Sequence, residues 1–110
     1  MRNQAYGARV GRVSLSDRDG FGAVGAGERR ELPVFTPRGM YSRPCEEDRV
    51  LLLSTGGGEA CAGVLCRTRE LAPGEVCLFS DGGAEIVLKN NGDISLNGVI
   101  ITKSGEILKP

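Results

Sequence analysis

The chain has 110 residues, 14 Lys+Arg balanced by 14 Asp+Glu, and neither histidine nor tryptophan. The missing histidine excludes Ser–His and Cys–His nucleophile pairs and mixed Cys/His zinc sites, and zero net charge argues against a sequence-independent nucleic-acid binder. Seventeen glycines, about twice the usual share, leave few large side chains for a core, so either the chain packs loosely or other chains complete it.

Glycine or proline interrupts almost every window of ten residues, which no ordinary helix survives. Short alternating apolar runs predict strands instead. Val10, Val13 and Leu15 mark the first, closed by the turn residues at 16–20. Phe21–Val24 and Leu32–Phe35 form the next pair, joined through segment 25–31. Asp48–Ser54 reads as a buried strand, because Val50–Leu53 are apolar in succession. Gly56-Gly57-Gly58 makes a hairpin turn, with no following Lys to suggest a phosphate loop, and Ala60–Cys66 returns as a strand. Five short strands with glycine turns fit a small barrel such as an OB-fold over residues 1–72.

After Leu71 the text changes character. Pro73-Gly74 marks a turn, and from Val76 the apolar residues alternate strictly: Val76 and Leu78, Ile86 and Leu88, Ile94 and Leu96, Val99 and Ile101, then Ile107. Gly92-Asp93-Ile94 recurs as Gly105-Glu106-Ile107, and Asn91-Gly92 and Asn97-Gly98 are turn dipeptides. An isolated ribbon with one apolar edge is marginal in water. The economical solution is closure by identical strands of neighbouring chains, with Ile86, Leu88, Ile94, Leu96, Val99, Ile101 and Ile107 facing a shared trimer axis. Residues 73–110 are therefore expected to form an intertwined trimeric β-helix or β-prism, the whole chain being all-β. An ordinary meander folded onto the barrel is the alternative.

Four segments carry a family resemblance. Arg38-Gly39-Met40-Tyr41-Ser42-Arg43-Pro44, followed by an apolar strand, a glycine turn and a second strand, is similar to the baseplate spike proteins of Mu-like contractile phages. Leu71-Ala72-Pro73-Gly74-Glu75-Val76-Cys77-Leu78-Phe79-Ser80-Asp81-Gly82-Gly83 resembles that family's junction between OB-fold and spike. Ile86–Lys89 and Gly92–Asn97 resemble its opening β-helix repeats.

The resemblance implies a structural, non-enzymatic homotrimer in the tail baseplate of a virion, assembled in the host bacterial cytoplasm. Its OB domains would dock as a collar on a baseplate hub protein. Its spike would be driven mechanically through the host outer membrane on sheath contraction. Related spikes occur in type VI secretion and R-type bacteriocin particles. Pro73, Gly74, Asp81, Gly82 and Gly83 fall at the junction turns. Tyr41, Arg43 and Pro44 are expected either at a subunit or hub contact or in an ordinary connecting loop.

Three departures matter. The family's His-x-His pair for an apical iron has no counterpart in a chain without histidine, so no metal and no cofactor are expected. The spike portion is short, which favours a separate tip or cap protein or a blunt end. An inserted lysozyme domain has no room.

The remaining signals point the same way or are weak. Basic residues outnumber acidic ones eight to four up to Arg43, a modest asymmetry that orients a neighbour rather than marking nucleic acid. Cys45, Cys61, Cys66 and Cys77 contain no C-x-x-C pair and read as reduced small hydrophobes. No apolar run approaches the length of a transmembrane helix, and Met-Arg-Asn-Gln-Ala lacks a signal-peptide core, so cytosolic synthesis is expected. Two other functions compete. An OB-fold module for single-stranded nucleic acid or oligosaccharide would need clustered aromatics and a basic groove. An enzyme would need two carboxylates across a cleft, whereas Asp17/Asp19 and Glu46-Glu47-Asp48 sit beside turn residues.

Overall fold

The computed structural model describes residues 7–24 and 31–109. The chain is all-β, with no helix among the described residues. It divides between Arg67 and Thr68 into two compact units.

Unit 1 is a four-stranded antiparallel sheet of β1 (Ala8–Asp17), β2 (Gly20–Val24), β3 (Arg49–Thr55) and β4 (Gly58–Val64), in the order β2-β1-β3-β4. Alternation decides which face is covered. Val13, Phe21, Ala23, Leu32, Val50, Leu52 and Cys61 point to one side and form a buried core, with Val34 and Val64 packed against it. Gly11 lies on that side beneath Leu52, where an added Cβ would stand 2.6 Å from Leu52 Cδ1 and from the Val24 carbonyl oxygen. Bulges at Val13/Leu15 and Leu51/Leu52 shift the register and increase the local twist that curls the sheet round this core.

The strand expected at Leu32–Phe35 is reduced to a single parallel bridge between Val34 and Cys61. Proline explains the truncation: Pro33 has no N–H to donate and breaks any longer ladder. The segment still joins both outer strands. Cys61 N donates to the Pro33 carbonyl at 2.8 Å and Phe35 N to the Cys61 carbonyl at 2.9 Å, while Leu32 N donates to Phe21 O at 3.2 Å. The expected pairing of 32–35 with β2 thus survives as one bond, and β4 takes the rest. Of the predicted connector 25–31, residues 25–30 lie outside the described residues.

The second correction concerns β3. The run Val50–Leu53 predicts a buried strand, yet burial alternates: Val50 and Leu52 are buried, Leu51 and Leu53 exposed. One curled sheet offers one interior, and no second layer among the described residues of unit 1 covers its back.

Unit 2 is a five-stranded antiparallel meander of β5 (Val76–Phe79), β6 (Glu85–Leu88), β7 (Ile94–Leu96), β8 (Val99–Ile101) and β9 (Ile107–Leu108), paired in chain order. Three of its turns share one hydrogen-bonding scheme. Gly83, Gly92 and Gly105 each donate to the carbonyl three residues back, and Ser80, Lys89 and Thr102 each donate to the carbonyl four residues on. The three glycines have φ of 93–96°, as a type I turn closed by a left-handed residue requires. Asn97-Gly98, with φ of 50° and 92°, makes the tight two-residue turn its sequence predicts.

Candidate assembly surface

Register places the apolar residues of unit 2 in two rows. Val76, Leu88, Ile94, Ile101 and Ile107 are successive cross-strand partners, and so are Leu78, Ile86, Leu96 and Val99. Successive residues of a strand point to opposite faces, so these nine aliphatic side chains share one face. Every residue expected on the axis is among them. Val76 and Leu78 complete the rows, a membership their two-residue spacing in the sequence already signals.

The face is largely uncovered. No described residue of unit 2 is fully buried, and Leu78, Leu88 and Ile107 are 46%, 44% and 64% exposed. Val76, Ile86 and Leu96 are a further 48%, 39% and 37% exposed, and over all nine side chains the face offers of the order of 600 Å² of aliphatic surface, at the upper end of what a soluble monomer leaves open. Backbone hydrogen bonds and turns therefore hold the ribbon, with little help from burial.

The opposite face carries a different chemistry. Cys77, Val87, Ser95, Ile100 and Leu108 follow one another across it. Beside Cys77, the Arg69 guanidinium lies 4.0 Å from the Phe79 ring centroid and donates to Glu85 Oε1 at 2.7 Å. The hydrogen bond from Arg69, and a weaker one from Cys77, hold the Glu85 carboxyl below its usual range. Glu75 makes a second clamp, accepting from Asn90 N and Ala72 N at 3.0 Å each. These two bonds, Asn90's first, likewise keep its carboxyl below the usual range. Asn90 Nδ2 returns a bond to the Pro73 carbonyl at 2.9 Å. A cavity of about 480 Å³ lies here, lined in part by Arg69, Glu75, Glu85 and Lys89. Both shifts favour the ionised form of these carboxylates.

The expected junction residues separate into two turns. Pro73 and Gly74 form the turn closed by Glu75 N donating to Ala72 O at 3.1 Å, with Gly74 at φ 96°. Asp81, Gly82 and Gly83 form the β5–β6 turn, where φ is positive only at Gly83. Sequence reasoning missed the Arg69 and Glu75 clamps. Both depend on register: Arg69 meets Glu85 sixteen residues on, and Glu75 meets Asn90 fifteen residues on.

In unit 1, Tyr41, Arg43 and Pro44 come together with the end of β1. Arg43 sits 5.5 Å over the Tyr41 ring and donates to the Asp17 carbonyl at 3.0 Å, and Ser16 Oγ donates to the Pro44 carbonyl at 2.6 Å. Pro44 therefore anchors a loop strapped to β1. The nearby carboxylates have structural tasks. Asp48 Oδ2 accepts from Cys45 N at 2.8 Å, and Glu47 Oε1 accepts from Arg12 at 2.6 Å. Of the four cysteines, Cys61 is buried, Cys77 half-buried, and Cys45 and Cys66 exposed. Among the described residues no group of three or more Cys, Asp or Glu is placed to hold a metal ion.

Neither a protein-family model nor a curated protein matches the chain.

Proposed function

We propose that the chain is a structural, non-enzymatic subunit of a homotrimeric central spike, of the kind found at the tail tip of contractile phages and related injection particles. The observation that carries this reading is the two-row aliphatic face of unit 2, which presents nine side chains and no cover. Three copies of such a ribbon, each turning that face inward, would make a narrow prism with a dry aliphatic axis. Hydrogen-bond ladders across the sheets supply stiffness, and a device that transmits force needs stiffness rather than a reactive group.

Two further observations support the reading. The junction-like sequence Leu71–Gly83 coincides with the turn and first strand that open unit 2. Segment 32–35 bonds both outer strands of the unit 1 sheet, which is how a small OB-like barrel closes. In this proposal unit 1 is the collar on a hub protein, and unit 2 is the shaft that meets the host envelope, with or without a separate tip.

Light scattering on the size-exclusion peak of the purified chain tests the proposal. A mass of three chains, unchanged on dilution through the micromolar range, is expected. A folded monomer at micromolar concentration overturns it.

A further inference from the structure

Between the last bond to unit 1 and the first strand of unit 2 the chain is held twice, and the two holds are unequal. Leu65 is tied to unit 1, donating its N–H to the Arg49 carbonyl at 2.8 Å. Cys66, Arg67 and Thr68 follow, all exposed, and none makes a hydrogen bond or ion pair with a described residue. At Arg69 unit 2 takes hold. The guanidinium lies 4.0 Å from the Phe79 ring centroid and donates to Glu85 Oε1 at 2.7 Å. Leu71 N donates to the Arg69 carbonyl at 2.9 Å, which draws residues 69–71 into a γ-turn. The second hold comes at residues 72–75. Glu75 Oε1 accepts from Ala72 N and Oε2 from Asn90 N at 3.0 Å each, and Asn90 Nδ2 donates to the Pro73 carbonyl at 2.9 Å.

Their strengths differ for a physical reason. The first hold is one side chain, 39% exposed, that grips a ring and a carboxylate, and exposed contacts of both kinds are individually weak. The second fixes backbone to the β6–β7 turn through three bonds, two of them to a carboxylate and therefore the stronger kind. Arg69 opens before Glu75 does.

We infer that residues 69–71 form a releasable strap. Fastened by Arg69, it limits the free connector between the units to residues 66–68. Released, it lengthens that connector to residues 66–71, while the turn at 72–75 and strands β5–β9 stay in place. Three more residues in extended form add up to about 10 Å of reach. Both units thus remain folded and connected when they are pulled or turned apart, because one exposed contact yields first. The strap rests on contacts within one chain and needs no trimer.

Backbone ¹⁵N relaxation on the full chain tests it. In the wild type, order parameters below about 0.6 are expected at residues 66–68, with Glu70 and Leu71 near the value of about 0.85 of rigid backbone. Arg69→Ala should bring Glu70 and Leu71 below about 0.6 and leave Glu75 and β6 unchanged. Flexible Glu70 and Leu71 in the wild type overturn the strap, and so does an Arg69→Ala variant in which they stay rigid. Loss of order at Glu75 in that variant overturns the separate, later release of the second hold. In case Arg69→Ala disturbs folding, Arg69→Lys serves as a second variant. It keeps the charge without the planar group that stacks on Phe79, so Glu70 and Leu71 should fall between wild type and Arg69→Ala; wild-type order there contradicts the strap.

Discussion

Units 1 and 2 use the same vocabulary of short antiparallel strands and glycine turns, yet only unit 1 has an interior. Seven residues of unit 1 form a buried core, while no described residue of unit 2 is buried. Apolar content does not explain this, since unit 2 carries nine aliphatic residues on one face. Curvature does. Bulges and the return of segment 32–35 let the unit 1 sheet cover its own apolar face, whereas β5–β9 follow one another as a meander without closing. An apolar face that its own sheet does not cover must be covered by another, or remain in water.

The largest expected effect breaks unit 2 at its face. Leu88→Asp places a charge among the aliphatic rows, and burying it unpaired in each copy costs several kcal/mol per ion. Light scattering should then report monomer in place of trimer. Normal assembly of this variant would show that the face is not an interface.

Breaking unit 1 should cost stability without that effect. Phe21→Ala empties the largest buried side chain, a change of about 3–5 kcal/mol in core series. Denaturant unfolding should show this loss in a transition of unit 1, with assembly through unit 2 retained under native conditions. Loss of both together would mean that the two units are not independent in stability.

A smaller effect is expected at Gly92. Its φ is 96°, and an added Cβ would lie 2.6–2.7 Å from three carbons of Lys103. Gly92→Ala should therefore cost about 1–3 kcal/mol, read as a lower unfolding midpoint. Gly56→Ala, where nothing lies within 4 Å of the added atom, should change the midpoint little. Equal effects at the two glycines would remove the argument that the turns hold unit 2.

The smallest effect is electrostatic. Glu75 and Glu85 both have pKa values below the ordinary 4.5. A carboxylate depressed on folding contributes stability that is fully present above its unfolded value and is lost as pH falls through its folded value. The unfolding midpoint of unit 2 should thus hold steady at neutral pH and fall in acid below the ordinary carboxylate range. Glu85→Gln should remove part of that acid dependence. Both groups are only partly covered, so the effect should be modest and reduced by salt.

The legible part of this protein lies where periodicity and turn chemistry act locally. Alternating Ile and Leu fixed the members of the unit 2 face, and Asn97-Gly98 fixed a turn, because two-residue alternation and left-handed backbone are properties of neighbouring residues. The Val50–Leu53 run predicts a buried strand; the strand forms, but only Val50 and Leu52 are buried. A strand's pattern states how many of its faces are apolar, not how many the rest of the chain can reach.

What the sequence by itself determined is the inventory: an all-β chain without histidine, rich in turn glycines, with more apolar face than one small core can use. Only the tertiary structure decided which faces are covered. The closure of unit 1 depends on Leu32 meeting Phe21 and on Cys61 meeting Pro33 and Phe35, contacts between strands distant in sequence. The clamps at Glu75 and Glu85 likewise depend on register across a ribbon. Local preference selects strands and turns; burial is set by which strands meet, and that is a property of the whole sheet.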